Sequence, residues 1–277
     1  MATETPVRPR PDREEGPGRP AARVRRDLFG VGLWLPATVA VLICGFAWTA
    51  VAEDQPYLLP LLPEVGGVLV GDPLLFLSNA WSTLQIALLG VGFGAGTAFV
   101  LALVMSEAPV VRRAIMPLAV VLNVTPVVAL APALVVAFGF GMAPKVIVTA
   151  IITFFPVLIN MTTGLRSVPS PVLHVFSTLH ASRLEVLLRL RVPSSLPYAL
   201  AALRVVFPLS IVGAVVAEFV AAGSSSGLGT MIRTSAATAR LEYVYAAIAC
   251  LAAMGVLMLA LITVLERRLL FWHESQQ

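Results

Sequence analysis

Three groups of residues in this 277-residue chain have types and spacings that chemistry could use. Gly223-Ser-Ser-Ser-Gly227 fits G-x-S-x-G, which in serine hydrolases presents a nucleophile on a strand-to-helix turn beside a positioned His. Here the stretch follows an apolar run of helical length, and His174, His180 and His273 are all expected on the other side of a membrane. Nucleophile and base would never meet, so acyl transfer is excluded. Glu218 is the second group, a carboxylate inside an apolar run, where an ionisable side chain signals function by default. Two roles stay open for it: contact with a solute or gate, or capture of backbone amides from the glycine-rich loop around Gly227 and Gly229. The third group is the arginines between residues 166 and 198, interleaved with leucines in a pattern that suits a membrane surface rather than catalysis. Cys44 and Cys250 lie in apolar runs and behave as small hydrophobes, and no metal-ligand spacing occurs. No G-x-x-x-x-G-K-[ST] stretch is present, so no cofactor is expected, and any ATP must be bound by another polypeptide.

The elements that carry these residues must be membrane helices. The chain is 58% hydrophobic and 12% charged, with a mean hydropathy of +0.90. A helix needs about 20 apolar residues to cross a hydrocarbon core, and only helices satisfy their own backbone there. The pattern predicts an all-α membrane protein with six transmembrane helices, near Phe29–Val51, Leu77–Met105, Ala114–Phe140, Val146–Leu165, Ala199–Ala221 and Tyr243–Leu265. Threading them puts most arginines on one side, so the positive-inside rule expects both termini and the 166–198 insert in the cytoplasm. The basic residues cluster at span ends, which fits anchoring against anionic lipid and argues against nucleic acid. Residues 1–26 read as a disordered cytoplasmic tail, 27–273 as the permeation domain and 274–277 as a C-terminal tail. Ala50-Val51-Ala52 resembles a signal-peptidase site, but the preceding apolar run is longer than a signal h-region, so retention as a first span is expected.

The 166–198 insert reads as a helix, a tight elbow and a second helix. Ser170-Pro171 reads as an N-cap and first-turn proline, with Val172, Val175, Phe176 and Leu179 as an apolar stripe. Ser182 with Glu185 three residues on is a capping box, which places the elbow at His180-Ala181. Arg183, Arg189 and Arg191 among leucines suit a second helix along the headgroup layer, ended by Pro193 and Pro197 before the next span. Within the third and fourth spans, Pro126, Pro132 and other prolines free backbone carbonyls, and Asn123, Thr125, Thr153 and Asn160 add neutral hydrogen-bonding groups. Such groups serve as packing contacts between helices or as walls of a polar pathway. An ion-coupled secondary transporter or channel would be expected to show an intramembrane acid–base pair or an internal repeat. Neither is clear here, and a purely structural membrane subunit is the third reading.

Ala181-Ser182-Arg183, Leu190-Arg191-Val192-Pro193 and Leu196-Pro197 resemble the cytoplasmic EAA-type loop of ATP-binding-cassette importer permeases. Asn123–Gly141, Phe154–Asn160, Gly164–Val168, Glu218-Phe-Val and Gly227-Leu-Gly229 are similar to the branch that handles sulfonates, taurine, nitrate and comparable small solutes. The resemblance implies a type I importer permease in a bacterial inner membrane. It would act as a homodimer with two cytosolic ATPase subunits and an extracytoplasmic solute-binding protein. A coupling helix would fall at about Pro171–Leu179, and its ATPase-contacting residues would include Val175, Phe176, Leu179, His180, Ala181, Ser182 and Pro193. The implied solute is a small anion or a nutrient such as a vitamin precursor. The chain departs from the family loop where Glu-Ala-Ala is replaced by His174-Val175-Phe176 and where His180 stands for Gly. Histidine is among the residues that tolerate a left-handed turn, so the elbow is expected to persist.

Overall fold

A computed structural model describes residues 31–55, 57–220 and 226–269. These are helical without strands: α1 (Val31–Asp54), α2 (Leu62–Gly71), α3 (Pro73–Glu107), α4 (Pro109–Val124), α5 (Val127–Phe138), α6 (Met142–Gly164), α7 (Ser170–Thr178), α8 (Arg183–Val186), a π-helical turn (Leu187–Arg191), α9 (Val192–Val220), α10 (Leu228–Ala237) and α11 (Leu241–Leu269). The chain divides into two units, residues 1–48 and 49–277. In the first, the described part is apolar helix from Val31, whereas Phe29 and Gly30 of the expected first span and the 1–26 tail lie outside the described residues.

Within residues 49–277, α3, α6 and α9 pack together most extensively. Gly90 and Gly94 make this possible: a Cβ at Gly90 would overlap the Thr149 side chain, and one at Gly94 would overlap the Thr153 hydroxyl. Close backbone approach through small residues one turn apart is how membrane helices gain contact without a hydrophobic drive. Leu158, Met161, Leu165, Ala202 and Val206 fill the space between α6 and α9. Outward-facing positions stay apolar, such as Val256, Leu257 and Leu261 of α11.

Among the described residues, α3, α6, the continuous run Arg183–Val220 and α11 are each long and apolar enough to cross a membrane. The expected third span is not one straight helix. α4 and α5 meet at 96°, and the pair makes a fifth crossing only if counted together. Pro126 causes the break: it lacks an N–H and its ring pushes Thr125 out of the α region, to φ −65°, ψ 128°. Pro117, Pro132 and Pro156 remain inside α4, α5 and α6.

The expected helix endings at Pro193 and Pro197 also need correction. The chain is continuously helical from Arg183 to Val220, so the arginine-bearing segment is an extension of the fifth span rather than a separate in-plane helix. The π-helical turn explains why Pro193 is tolerated. Val192 donates to Leu187 O, five residues back, and the widened turn makes room for the proline ring that follows. At the insert's start the boundary shifts by one residue: Pro169 is the N-cap, Ser170 is the first helical residue, and no side chain caps the end.

Candidate functional site

The elbow is built almost wholly from local hydrogen bonds. α7 ends in a Schellman arrangement, in which Ala181 N donates to Phe176 O at 3.1 Å and His180 N donates to Ser177 O at 3.1 Å. Such an ending requires a left-handed residue after the cap, and His180 occupies it with φ 52°. Glycine is usual there, and a side chain costs about 1–2 kcal/mol. The chain then reverses into α8 through the expected capping box: Ser182 Oγ accepts from Glu185 N at 3.3 Å, while Glu185 Oε2 accepts from Ser182 N and Oγ, each at 2.9 Å. No residue of α7 is buried. Val175 and Leu179 are 57% and 71% exposed and Phe176 is half-buried, so this side of α7 presents apolar surface that the described residues do not fully cover. His174 and His180 are exposed, and no described cluster has the composition of a metal site. Pro193 lies beyond the π-helical turn, away from this face in sequence and at the start of α9.

Sequence reasoning missed what ties the insert to the bundle. Arg191 donates from Nη1 to Glu107 Oε1 at 2.9 Å and to Ser106 O at 3.3 Å, joining the π-helical turn to the end of α3. Arg204 of α9 has Glu266 of α11 at 3.6 Å. Neither pairing has a local signal, because 84 and 62 positions separate the partners.

At the opposite end, Glu218 is fully buried and surrounded by donors. Its Oε2 accepts from Gly229 N at 2.6 Å and its Oε1 accepts from Thr83 Oγ1 at 2.9 Å. Thr83 Oγ1 also accepts from Leu228 N at 2.9 Å, and Asn79 Oδ1 accepts from Gly227 N at 2.8 Å. Three successive amides at the start of α10 thus end on three polar side chains of α3 and α9. A helix start leaves its first N–H groups unpaired, and burial makes each one costly unless it finds an acceptor. Gly227 is needed for two reasons: its φ is +120°, and a Cβ there would overlap the Glu218 carboxylate. A Cβ on Gly229 would come within 2.7 Å of Glu218 Oε2. Asn79 and Thr83 were not singled out from sequence, although two polar residues one turn apart in an apolar helix are a readable signal. Lys145 of α6 is also buried, at 4% exposed. Gly223, Ser224 and Ser225 of the serine stretch lie outside the described residues, while Ser226 Oγ meets Ser82 Oγ at 3.0 Å.

The candidate pathway residues fall into two settings. Asn123, Pro126 and Pro132 are exposed on α4 and α5 and at the break between them, and Thr125 there donates to Val121 O at 2.8 Å. Thr153, by contrast, is fully buried between α3 and α6, donating toward Thr149 O at 3.1 Å and Gly90 O at 3.3 Å. Asn160 is half-buried, and its Nδ2 donates to Pro156 O at 2.8 Å, a carbonyl on its own helix.

Comparison with known proteins agrees with this architecture. The formylaminopyrimidine transport permease protein ThiX of Halalkalibacterium halodurans is 35% identical over 245 residues, covering 87% of this chain and 97% of its own. The putative aliphatic sulfonates transport permease protein SsuC of Bacillus subtilis is 29% identical, covering 89% and 88%. A solved chain of the MetNI methionine ABC transporter, in inward-facing conformations, superposes with a TM-score of 0.61 at 15% identity over 72% of this chain and 97% of that one, and so shares the fold. The family of binding-protein-dependent transport system inner membrane components matches residues 75–271. That match takes in α3 to α11, the elbow and the Glu218 network, and the chain belongs to this family of ATP-binding-cassette importer permeases.

Proposed function

We propose that α7 is the coupling helix of this permease and that the apolar face of Val175, Phe176 and Leu179 seats in a cytosolic ATPase. The observation that carries this reading is a rigid elbow with a largely uncovered apolar face. A Schellman ending and a capping box fix its shape, while none of α7 is spent on the chain's own core. His180, Ala181 and Ser182 set the angle, and Pro193 marks where the elbow joins α9. A permease subunit is a transport component and not an enzyme, and its family implies ATPase and solute-binding-protein partners. ATP binds on the ATPase subunit in this reading. Closure of the ATPases pulls the elbow, and the continuous helix Arg183–Val220 carries that displacement into the membrane.

Two copies of this chain face each other across the pathway, with both termini and the elbow in the cytoplasm, as the arginine distribution favours. Asn123, Thr125, Pro126 and Pro132, at the broken α4–α5 pair, line the pathway with neutral groups and freed carbonyls. Thr153 and Asn160 support those walls from α6. Glu218, Gly227 and Gly229 hold the outer loop. The solute is a small nitrogen heterocycle of the formylaminopyrimidine kind, supported by the near full-length likeness to ThiX and by the neutral character of the candidate walls. Uptake assays in vesicles containing permease, ATPase and binding protein test this. Accumulation of labelled formylaminopyrimidine, unaffected by excess taurine, is expected; uptake of an alkanesulfonate instead would replace the heterocycle with an anion.

A further inference from the structure

Behind α7 lies a cavity of about 340 Å³, bounded by Ser106 at the α3–α4 corner, Leu165 at the end of α6 and Leu173 of α7. Three arginines line it, each from a different corner: half-buried Arg112 near the start of α4, exposed Arg166 just past α6 and Arg191 in the π-helical turn. Only Arg191 is matched by a carboxylate, Glu107. Arg112 and Arg166 have no ion-pair partner among the described residues. The positive-inside rule accounts for the side of the membrane on which these arginines fall, but not for their convergence on one cavity. Like charges lining one small space repel unless an anion sits among them.

The geometry points to an oxyanion site here, in which Arg112 and Arg166, with Arg191 at the rim, bind a phosphate group. Forked guanidinium donors match the oxygens of a phosphate, and Ser106 adds a polar wall while Leu165 and Leu173 add an apolar one. The phosphate comes either from an anionic phospholipid headgroup or from solution, since both present the same oxygens. Because Leu173 belongs to α7, an occupied site braces the root of the elbow against the ends of α3 and α6. The site does not depend on what docks on the outer face of α7.

The test is thermal unfolding of the full-length permease in detergent. Inorganic phosphate is titrated against chloride at matched ionic strength, and phosphatidylglycerol against phosphatidylcholine in mixed micelles. A saturable rise in Tm with phosphate assigns a free oxyanion; a rise with phosphatidylglycerol but not with phosphate assigns a headgroup. In either case R112Q/R166Q should weaken the apparent affinity about tenfold, as expected for losing charge-assisted hydrogen bonds. R267Q/R268Q, which removes the same charge from the end of α11, should leave it unchanged. If R112Q/R166Q does not fold, R112K/R166K keeps the charge without the fork and should still bind several-fold more weakly. No saturable rise with either ligand, or an equal response from R112Q/R166Q, R267Q/R268Q and the unaltered chain, would overturn the assignment.

Discussion

The two ends of the bundle are built on opposite principles. At the start of α10, three backbone amides and a carboxylate are buried together and satisfied by side chains 11 to 148 positions away. At the elbow, every fixing hydrogen bond spans five positions or fewer, and no α7 side chain is buried. The first construction is stable because breaking it strands polar groups out of water. The second keeps its shape locally and leaves its apolar side chains for something else. A moving connection between proteins needs the second kind, and a loop that must stay closed needs the first.

This contrast can be broken at its strong end first. Glu218→Ala strands the buried Gly229 amide, at about 1–3 kcal/mol, and leaves the Thr83 hydroxyl only the Asn79 carbonyl at 3.2 Å. A large fall in Tm is expected, with new protease cleavage near residues 221–230; an unchanged Tm would mean that the network is not a support. Gly227→Ala places a methyl against the Glu218 carboxylate at a φ of +120°, and about 1–3 kcal/mol of strain is expected. The same proteolysis pattern as for Glu218→Ala would tie both residues to one structure. Ser182→Ala removes the capping hydroxyl at a cost of about 1 kcal/mol, so hydrogen exchange should quicken in residues 183–186 and hardly change elsewhere. His180→Gly relieves the left-handed turn, which should raise stability by about 1 kcal/mol or less and preserve transport. A severe loss of uptake would show that the imidazole itself contacts the partner.

Much of this was legible in the residues. The capping box follows from local chemistry, because the motif carries its own stereochemical requirement, whereas the left-handed turn at His180 was implied by the family's glycine and the link from Glu218 to the glycine-rich loop was one of two roles left open. The family likeness added the role of the elbow, which spacing alone leaves open between a docking platform and a connecting loop. What could not be read depends on three-dimensional context. Pro117, Pro126, Pro132 and Pro156 look equivalent in an apolar run, yet only Pro126 breaks its helix, because helices can absorb a proline wherever neighbours satisfy the freed carbonyl. Pro193 reads as a terminator until the π-helical turn before it is seen. Asn79, Thr83 and the Arg191–Glu107 pair acquire meaning only from partners far along the chain.

In the proposed mechanism α7 is the point of attachment to the ATPase. Phe176→Asp puts a charge into its apolar face at a half-buried position outside the core, so only a modest fall in Tm is expected. Affinity purification of the tagged permease from its own cells, with ATPase activity measured on the eluate, tests this directly. The unaltered chain should recover a P-loop ATPase in roughly equal amount, and Phe176→Asp should lose it while remaining folded in the membrane. Equal recovery of the ATPase with both proteins would contradict the claim that this helix couples the permease to its motor.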